Sequence, residues 1–296
     1  MQKLRVNRLC AWLVALLPAL SAAQATATDE VTWVVSNFAP FYIGAGASSG
    51  QGVADRLINL VKAEMPEYRH RHQPMTPIRF REYLRNQAQV VSFAFLKDPS
   101  LAGQVQYSGA TLILPALELT LRREDWDHKW QRQSPFHLAE GMRTGLQLGV
   151  AEGRHYSTKL DALIRASRAA ANSQLFVRNG DHYTGLAEMA TKKRVDATIG
   201  YSAELRFAQQ GNSKLASLVS VPIAENTDPV FAYAAIPKGE WGDRFRARLN
   251  QALLKLRGQP EYRQALVDWF GTTDAWEQAY KARFSAGKMD TAEAGL

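Results

Sequence analysis

The residues best suited to binding chemistry lie in the sequence EGRHYS at residues 152–157. This segment follows an apolar, strand-like run and precedes a helical pattern, so Arg154 and His155 are expected beside a helix N-terminus. Unpaired backbone N–H groups and the helix dipole favour an anion at such a position. Tyr156 is included in the same candidate site. The alternative interpretation is that these charges are ordinary solvated loop residues.

Two further groups could contact a ligand. Phe38 and Phe41 flank a Pro-containing turn, where they would either stack on a flat or apolar ligand face or pack into the core. Phe95 ends the buried run VVSFAF, and Lys97 follows it. One interpretation is that Lys97 is a flexible cation that faces the site. The alternative is that it is an exposed loop lysine.

Other patterns carry less weight. The loop GAGASSGQG follows a strand and precedes a helix, but Pro40 and further residues separate it from the strand, which disfavours a dinucleotide site. The run RHRH at residues 69–72 lacks a completing carboxylate or cysteine, so no metal site is predicted. No familiar catalytic motif occurs, and we expect no catalysis and no cofactor.

The elements that position these residues follow an α/β pattern. In the first half, strands are predicted at residues 31–38, 69–75 and 90–95, helices at 53–65 and 78–86, and one extended run at 112–121. This β-α-β-α-β order predicts a largely parallel sheet.

A second unit of the same kind begins at residue 146. Its predicted strands lie at residues 146–151, 174–177, 195–200 and 218–223, and its helices at 157–168, 184–193 and 203–210. A strand at 231–236 and helices at 243–257 and 261–270 complete the pattern. Segments 123–145 and 272–284 are less regular, and Trp126, Trp130 and Trp276 are expected to dock them onto the body.

The N-terminus has the pattern of an export signal. Lys3, Arg5 and Arg8 precede a twelve-residue apolar core that is too short to span a bilayer, and small residues follow it. We expect cleavage after Ala25, or alternatively after Ala27, and a periplasmic mature protein. Cys10 lies before the apolar core, which argues against a lipoprotein.

The cysteine count and the net charge limit which classes of protein this chain could belong to. Cys10 is the only cysteine, so the mature chain would have no disulfide, and its size allows a self-sufficient core. Removing the three basic signal residues lowers the formal net charge from +8 to +5. The scattered basic residues and the export signal argue against nucleic-acid binding.

Five segments together resemble the solute-binding proteins of family 3, the polar amino-acid type that serves ABC importers. They are NFAPF at residues 37–41, GVAD at 52–55, the segment 95–108 ending in Tyr107-Ser108, the strand-Gly-helix segment 148–156, and RVDA at 194–197. The resemblance implies a two-lobed α/β clamp of type II, each lobe a mainly parallel sheet flanked by helices, joined by two hinge strands. The implied division is a signal peptide at 1–25, the first lobe at 28–118 and 232–284, the second lobe at 119–231, and a disordered tail at 285–296.

The chain departs from this family at two positions. Members that bind amino acids usually carry an Arg where Leu101 stands and an Asp where Tyr201 stands. Losing one charged hydrogen bond costs about 1.5–3 kcal/mol, so standard α-amino acids are expected to bind poorly. The chain therefore resembles a divergent branch. The candidate ligand-binding residues are Phe38, Phe41, Phe95, Lys97, Ser108, Arg154, His155, Tyr156 and Tyr201.

Three functions are compatible with these features. The first is a monomeric periplasmic protein that closes around a small polar or anionic ligand and delivers it to an ABC permease or a membrane sensor. The second is an exported, dehydratase-like enzyme on the same clamp, with Glu152 and His155 as acid–base candidates. The third is a sensory lobe of a signalling protein.

Overall fold

The computed structural model describes residues 29–36, 38–86, 88–169, 175–178 and 183–284. The predicted signal peptide, its cleavage site, the predicted tail and Asn37 lie outside this part of the chain. In the described part, no helix is both long enough and apolar enough to cross a membrane.

Within the described ranges, ten strands form two sheets. The strands are β1 (Glu30–Val35), β2 (Arg69–Pro74), β3 (Val90–Phe95), β4 (Val105–Leu114), β5 (Glu118–Arg122), β6 (Leu148–Ala151), β7 (Leu175–Arg178), β8 (Ala197–Gly200), β9 (Leu218–Pro222) and β10 (Val230–Pro237). The sheet orders are β2-β1-β3-β10-β4 and β7-β6-β8-β5-β9.

Ten α-helices in the same described ranges flank the sheets. They are α1 (Val53–Glu64), α2 (Pro77–Arg85), α3 (Arg123–His128), α4 (Leu138–Arg143), α5 (Thr158–Ala169), α6 (Thr184–Thr191), α7 (Ser202–Gly211), α8 (Glu240–Leu256), α9 (Pro260–Phe270) and α10 (Asp274–Arg283). Most agree with the predicted positions within a few residues. Ser157 caps α5 as expected, because its hydroxyl accepts a hydrogen bond from the backbone of Leu160 at 3.2 Å.

Each sheet has one strand that opposes the other four. β10 runs antiparallel to β3 and β4, and β5 runs antiparallel to β8 and β9, whereas the remaining pairs are parallel. These two strands follow the segments that connect the sheets. The mainly parallel, two-lobed α/β fold predicted from the sequence is therefore confirmed.

The extended run predicted at residues 112–121 is corrected by the structure. It is divided between β4 in the first sheet and β5 in the second, and residues 115–117 connect them. The second connection, residues 223–229, lies beside the first, because the Asn226 side-chain amide donates to the Leu117 carbonyl at 3.3 Å. The lobe boundaries given above stay predictions.

The irregular segments dock as expected. Trp276 is buried, and its indole N–H donates to the Ile113 carbonyl at 3.0 Å. Trp126 and Trp130 are half-buried against the main core, where Trp130 meets Phe136 edge-on with ring centroids 5.1 Å apart. Through Trp276, α10 packs against β4 at the edge of the first sheet.

Candidate functional site

The loops at the carboxyl ends of the parallel strands face each other across the lobes. β1 leads into the loop carrying Phe38 and Phe41, and β6 leads into the loop carrying Arg154. This edge of an α/β sheet is where ligands bind in such folds. In the second loop, Gly153 has a φ of 71°, a left-handed conformation that glycine adopts without strain.

Arg154 is paired with a residue that the sequence analysis did not identify. Its two terminal nitrogens donate to the Glu204 carboxylate at 2.9 Å and 2.7 Å, and the two side chains are 9% and 0% exposed. Glu204 also accepts a hydrogen bond from the Tyr201 backbone N–H at 2.8 Å. Burial lowers the pKa of Arg154, but the Glu204 carboxylate outweighs it and the pKa is raised. Arg154 is therefore charged, and its charge is balanced inside the protein.

A glycine makes room for this pair. A Cβ added at Gly200 would lie 2.2 Å from the Tyr183 ring and 3.0 Å from the Glu204 carboxylate. The Tyr183 hydroxyl in turn bonds the Thr120 hydroxyl at 2.7 Å on the neighbouring strand β5. The absence of a side chain at Gly200 thus leaves room for both the Tyr183 ring and the Glu204 carboxylate.

Aromatic rings of both lobes contact one another near Arg154. We call Phe38, Phe41, Tyr201 and Phe270 the aromatic clasp. Phe38 stacks on Phe41 at 4.7 Å, and Phe41 lies 5.6 Å from Tyr201 and 5.5 Å from Phe270, measured between ring centroids. Because Phe38, Phe41 and Phe270 belong to the first lobe and Tyr201 to the second, the clasp joins the lobes.

Two aromatic rings lie close to the Arg154 guanidinium. Its Cζ atom is 5.2 Å from the centroid of Phe38 in the first lobe and 5.2 Å from that of Tyr156 in its own loop. Both distances suit a cation–π contact, which strengthens when the cation is removed from water.

A second contact between the lobes lies beside the clasp. Phe207 of α7 meets Trp269 of α9 edge-on with centroids 5.9 Å apart, and the Arg206 guanidinium donates to the Trp269 carbonyl. Trp269 is itself tied to the first lobe, because its indole N–H donates to the Gln51 carbonyl at 3.0 Å. The N-terminal half of α7 therefore rests on the C-terminal end of α9.

Lys97 lies in a different setting in the first lobe. We call Phe95, Lys97, Tyr107 and Tyr233 the lysine shelf. The Lys97 ammonium is 4.3 Å from the ring centroid of Tyr233 and 6.0 Å from that of Tyr107. Phe95 stacks on Tyr107 at 6.5 Å. The return strand β10, which carries Tyr233, was not predicted to contribute to the site.

Two predicted ligand-binding residues have structural roles. Ser108 is 1% exposed, and its hydroxyl accepts from the Ala234 N–H at 2.9 Å and donates to the Gly109 carbonyl at 2.7 Å. Tyr156 is buried, and its hydroxyl accepts from the Ala151 N–H at 2.9 Å. Their polar groups are occupied by backbone within their own lobes, which argues against the predicted direct contact with a ligand.

His155 and Glu152 differ from a buried acid–base pair. The His155 side chain is 53% exposed and pairs with Asp161 in the first turn of α5. Glu152 is exposed, and its backbone N–H donates to the Arg178 carbonyl at 2.8 Å. Neither side chain is enclosed in the way that perturbed catalytic groups usually are.

Leu101 and Tyr201, the two positions that depart from the amino-acid-binding pattern of the resembled family, are both buried. Leu101 is buried in a short 3-10 turn at Pro99–Leu101. Tyr201 is buried in the clasp, and burial raises the pKa of its hydroxyl well above the usual value. A neutral phenol and a leucine therefore occupy these two positions.

The sequence matches no protein-family model and no curated protein. Solved structures with a similar fold include a periplasmic binding protein of Salmonella typhimurium described for high arginine specificity. It is 16% identical with a TM-score of 0.59, over 82% of this chain and 99% of that one.

Two other similar structures have different roles. A substrate-binding protein of an amino acid ABC transporter is 12% identical with a TM-score of 0.59, over 82% of this chain and 100% of that one. A histidine kinase sensor domain is 14% identical with a TM-score of 0.61, over 82% and 96%. At such identities the likeness shows the fold, which is that of the periplasmic binding proteins.

Proposed function

We propose that this chain is an exported solute-binding protein, a divergent relative of family 3, that closes its two lobes around a small polar or anionic ligand. The observation that carries the proposal is the aromatic clasp, in which Phe38 of one lobe covers Arg154 of the other. In a hinged two-lobed protein, a bound ligand and contacts between the lobes favour the closed conformation. The clasp lies at the carboxyl ends of the strands, where such contacts form.

Lys97 is the proposed contact for an anionic group. It follows β3 at the edge facing the second lobe, and its ammonium lies over the rings of Tyr233 and Tyr107. A flexible ammonium held on aromatic faces can move to meet a carboxylate or phosphate. Arg154 is less suited to this task, because Glu204 already takes both of its terminal nitrogens.

A thermal-shift screen of small solutes tests the proposal. A ligand that binds only the folded protein raises the melting temperature by mass action. Substituting Lys97→Met should weaken the binding of an anionic ligand about tenfold to a hundredfold. Lys214→Met is the matched control, because Lys214 precedes β9 at the sheet edge opposite the cleft. Equal loss in both variants, or none in Lys97→Met, would contradict the role of Lys97.

Standard α-amino acids are expected to give little or no shift in that screen. The reason is the absence of charge at Leu101 and Tyr201, together with the burial of both side chains. A clear shift with a common amino acid at micromolar concentration would contradict this expectation.

The partner is proposed to be an ABC permease or a membrane-bound sensor. The similarity to a histidine kinase sensor domain supports keeping the sensory alternative. Cross-linking in intact cells, followed by identification of the captured membrane protein, separates the two: a permease supports import and a kinase supports sensing. The enzymatic alternative gains no support from the site, because Glu152 and His155 are exposed.

A further inference from the structure

Glu204 has the surroundings of a receptor for a planar cation. Its carboxylate is fully buried, presents both oxygens to one guanidinium, and is oriented by the Tyr201 N–H. Parallel N–H···O bonds of this kind are the geometry in which a carboxylate selects a guanidinium. A buried carboxylate without a cation would be strongly destabilised, so the site requires an occupant.

The walls of this receptor suit a flat cation as well. The ring centroids of Phe38 and Tyr156 each lie 5.2 Å from the Cζ atom of Arg154. Phe38 comes from the first lobe, whereas Glu204 and Tyr156 come from the second. The receptor is therefore completed only when the lobes meet, as a ligand site in a hinged clamp would be.

We propose that Arg154 is a specificity-determining residue that fills this receptor with its own guanidinium and thereby excludes guanidinium- and ammonium-bearing solutes from the cleft. The inference rests on the proposed solute-binding function and refines it. An external cation would have to displace a tethered one from the same carboxylate, whereas an anion or a neutral polar solute would leave the pair intact. The cleft therefore discriminates against cationic solutes by charge.

Removing the Arg154 side chain beyond Cβ tests this directly. The fragment lost in Arg154→Ala corresponds to N-ethylguanidinium, which serves as the probe. We expect Arg154→Ala to show a saturable rise in melting temperature with N-ethylguanidinium and wild type to show none. The neutral isostere N-ethylurea should stabilise neither protein.

A second variant assigns the effect to the carboxylate. In Arg154→Ala/Glu204→Gln the receptor has lost its charge, so the affinity for N-ethylguanidinium should fall about tenfold or more relative to Arg154→Ala. Should Arg154→Ala alone not fold, recovery of its far-UV circular dichroism with the probe is the readout. Failure of the probe to stabilise or refold Arg154→Ala, or equal binding to wild type, would overturn the proposal.

A different experiment tests the proposed solute-binding function. That function fails if wild type binds no solute in the thermal-shift screen, whatever the response of Arg154→Ala to the probe. The exclusion of cations fails if the probe experiment is negative, even when wild type binds an anionic or neutral solute.

Discussion

The loops that lead into α1 and α5 are equivalent in position and are anchored in the same way. In the first lobe, Asp55 of α1 accepts hydrogen bonds from the backbone N–H groups of Ile43 and Gly52 at 2.9 Å and 3.2 Å. In the second lobe, Asp161 of α5 accepts one from the Tyr156 N–H at 3.1 Å. An acidic residue in the first turn thus folds each loop back on its helix, where the dipole also favours it.

The two loops differ in what they present to the other lobe. The first presents the stacked rings of Phe38 and Phe41, and the second presents the cation of Arg154 held by Glu204. Ring face and cation meet where the lobes touch. Two loops of the same architecture thus place an aromatic ring on one lobe and a cation on the other. Contact between the lobes therefore depends on a few side chains.

The largest expected effect comes from breaking the buried ion pair. Arg154→Ala leaves the Glu204 carboxylate buried without a cation and should lower the free energy of unfolding by about 3–5 kcal/mol. Urea denaturation measures this without introducing guanidinium. Because removing both charges is often nearly neutral, Arg154→Met/Glu204→Gln should recover most of the loss. A double variant as unstable as Arg154→Ala would mean that the pair is not the source of the effect.

A smaller effect is expected from the anchors of the loops. Asp55→Ala removes the acceptor of two buried N–H groups and should cost about 1–3 kcal/mol of unfolding free energy. Asp161→Ala should cost less, because it removes the acceptor of one N–H and the partner of the exposed His155. Urea melts of both variants compare the lobes, and an equal or reversed order would contradict the ranking.

Phe38 tests the contact between the loops. Phe38→Leu keeps an apolar side chain but loses the ring over Arg154 and the stack on Phe41, and should cost about 0.5–1.5 kcal/mol. Phe231→Leu is a matched control, because Phe231 lies under the Arg283 guanidinium at 4.4 Å within the first lobe. Only Phe38→Leu should also weaken solute binding. Equal losses of binding in the two variants would mean that the aromatic clasp is not part of the solute site.

The smallest expected effect is a pH dependence in the first lobe. His70 accepts the Trp33 indole N–H at Nδ1 and donates from Nε2 to the Met65 carbonyl, so its neutral form fits the fold. Burial lowers the pKa of His70 below its usual 6.5. Below about pH 6.5 the unfolded chain then binds more protons than the folded chain, and stability decreases as pH falls.

Thermal melts between pH 8 and pH 5 check this prediction, with His70→Gln as the variant that should reduce the slope. His72, whose pKa burial also lowers, contributes in the same direction, so His72→Gln is measured alongside. An unchanged slope in His70→Gln would contradict the contribution of His70 to the pH dependence.

Periodicity alone predicted most elements, because buried strands and amphipathic helices leave local patterns. It could not divide residues 112–121 between two sheets, since β4 and β5 are both apolar and the division depends on tertiary pairing. The helix α10 was missed although Thr273 caps it by accepting from the Trp276 N–H at 3.2 Å. That Thr with acidic residues in the following turn is a start signal that could have identified it.

The site was predicted less completely than the fold. The positions of Phe38, Arg154 and Lys97 followed from the ends of predicted strands. The partner Glu204 lies fifty residues from Arg154 in sequence, and only its spacing of three from Tyr201, typical of a helix start, gave any signal. The motif around Ser108 did not show that its hydroxyl bonds the backbone of β10 and Gly109, because that contact depends on tertiary pairing.

The central claim, that the two lobes together bind a small solute, is tested most directly by native mass spectrometry of protein purified from the periplasm and exposed to periplasmic extract. We expect wild type to carry a small molecule that is released on unfolding, and Phe38→Leu and Lys97→Met, prepared identically, to carry less of it. A wild-type protein without any bound molecule, or variants that retain it fully, would contradict the account.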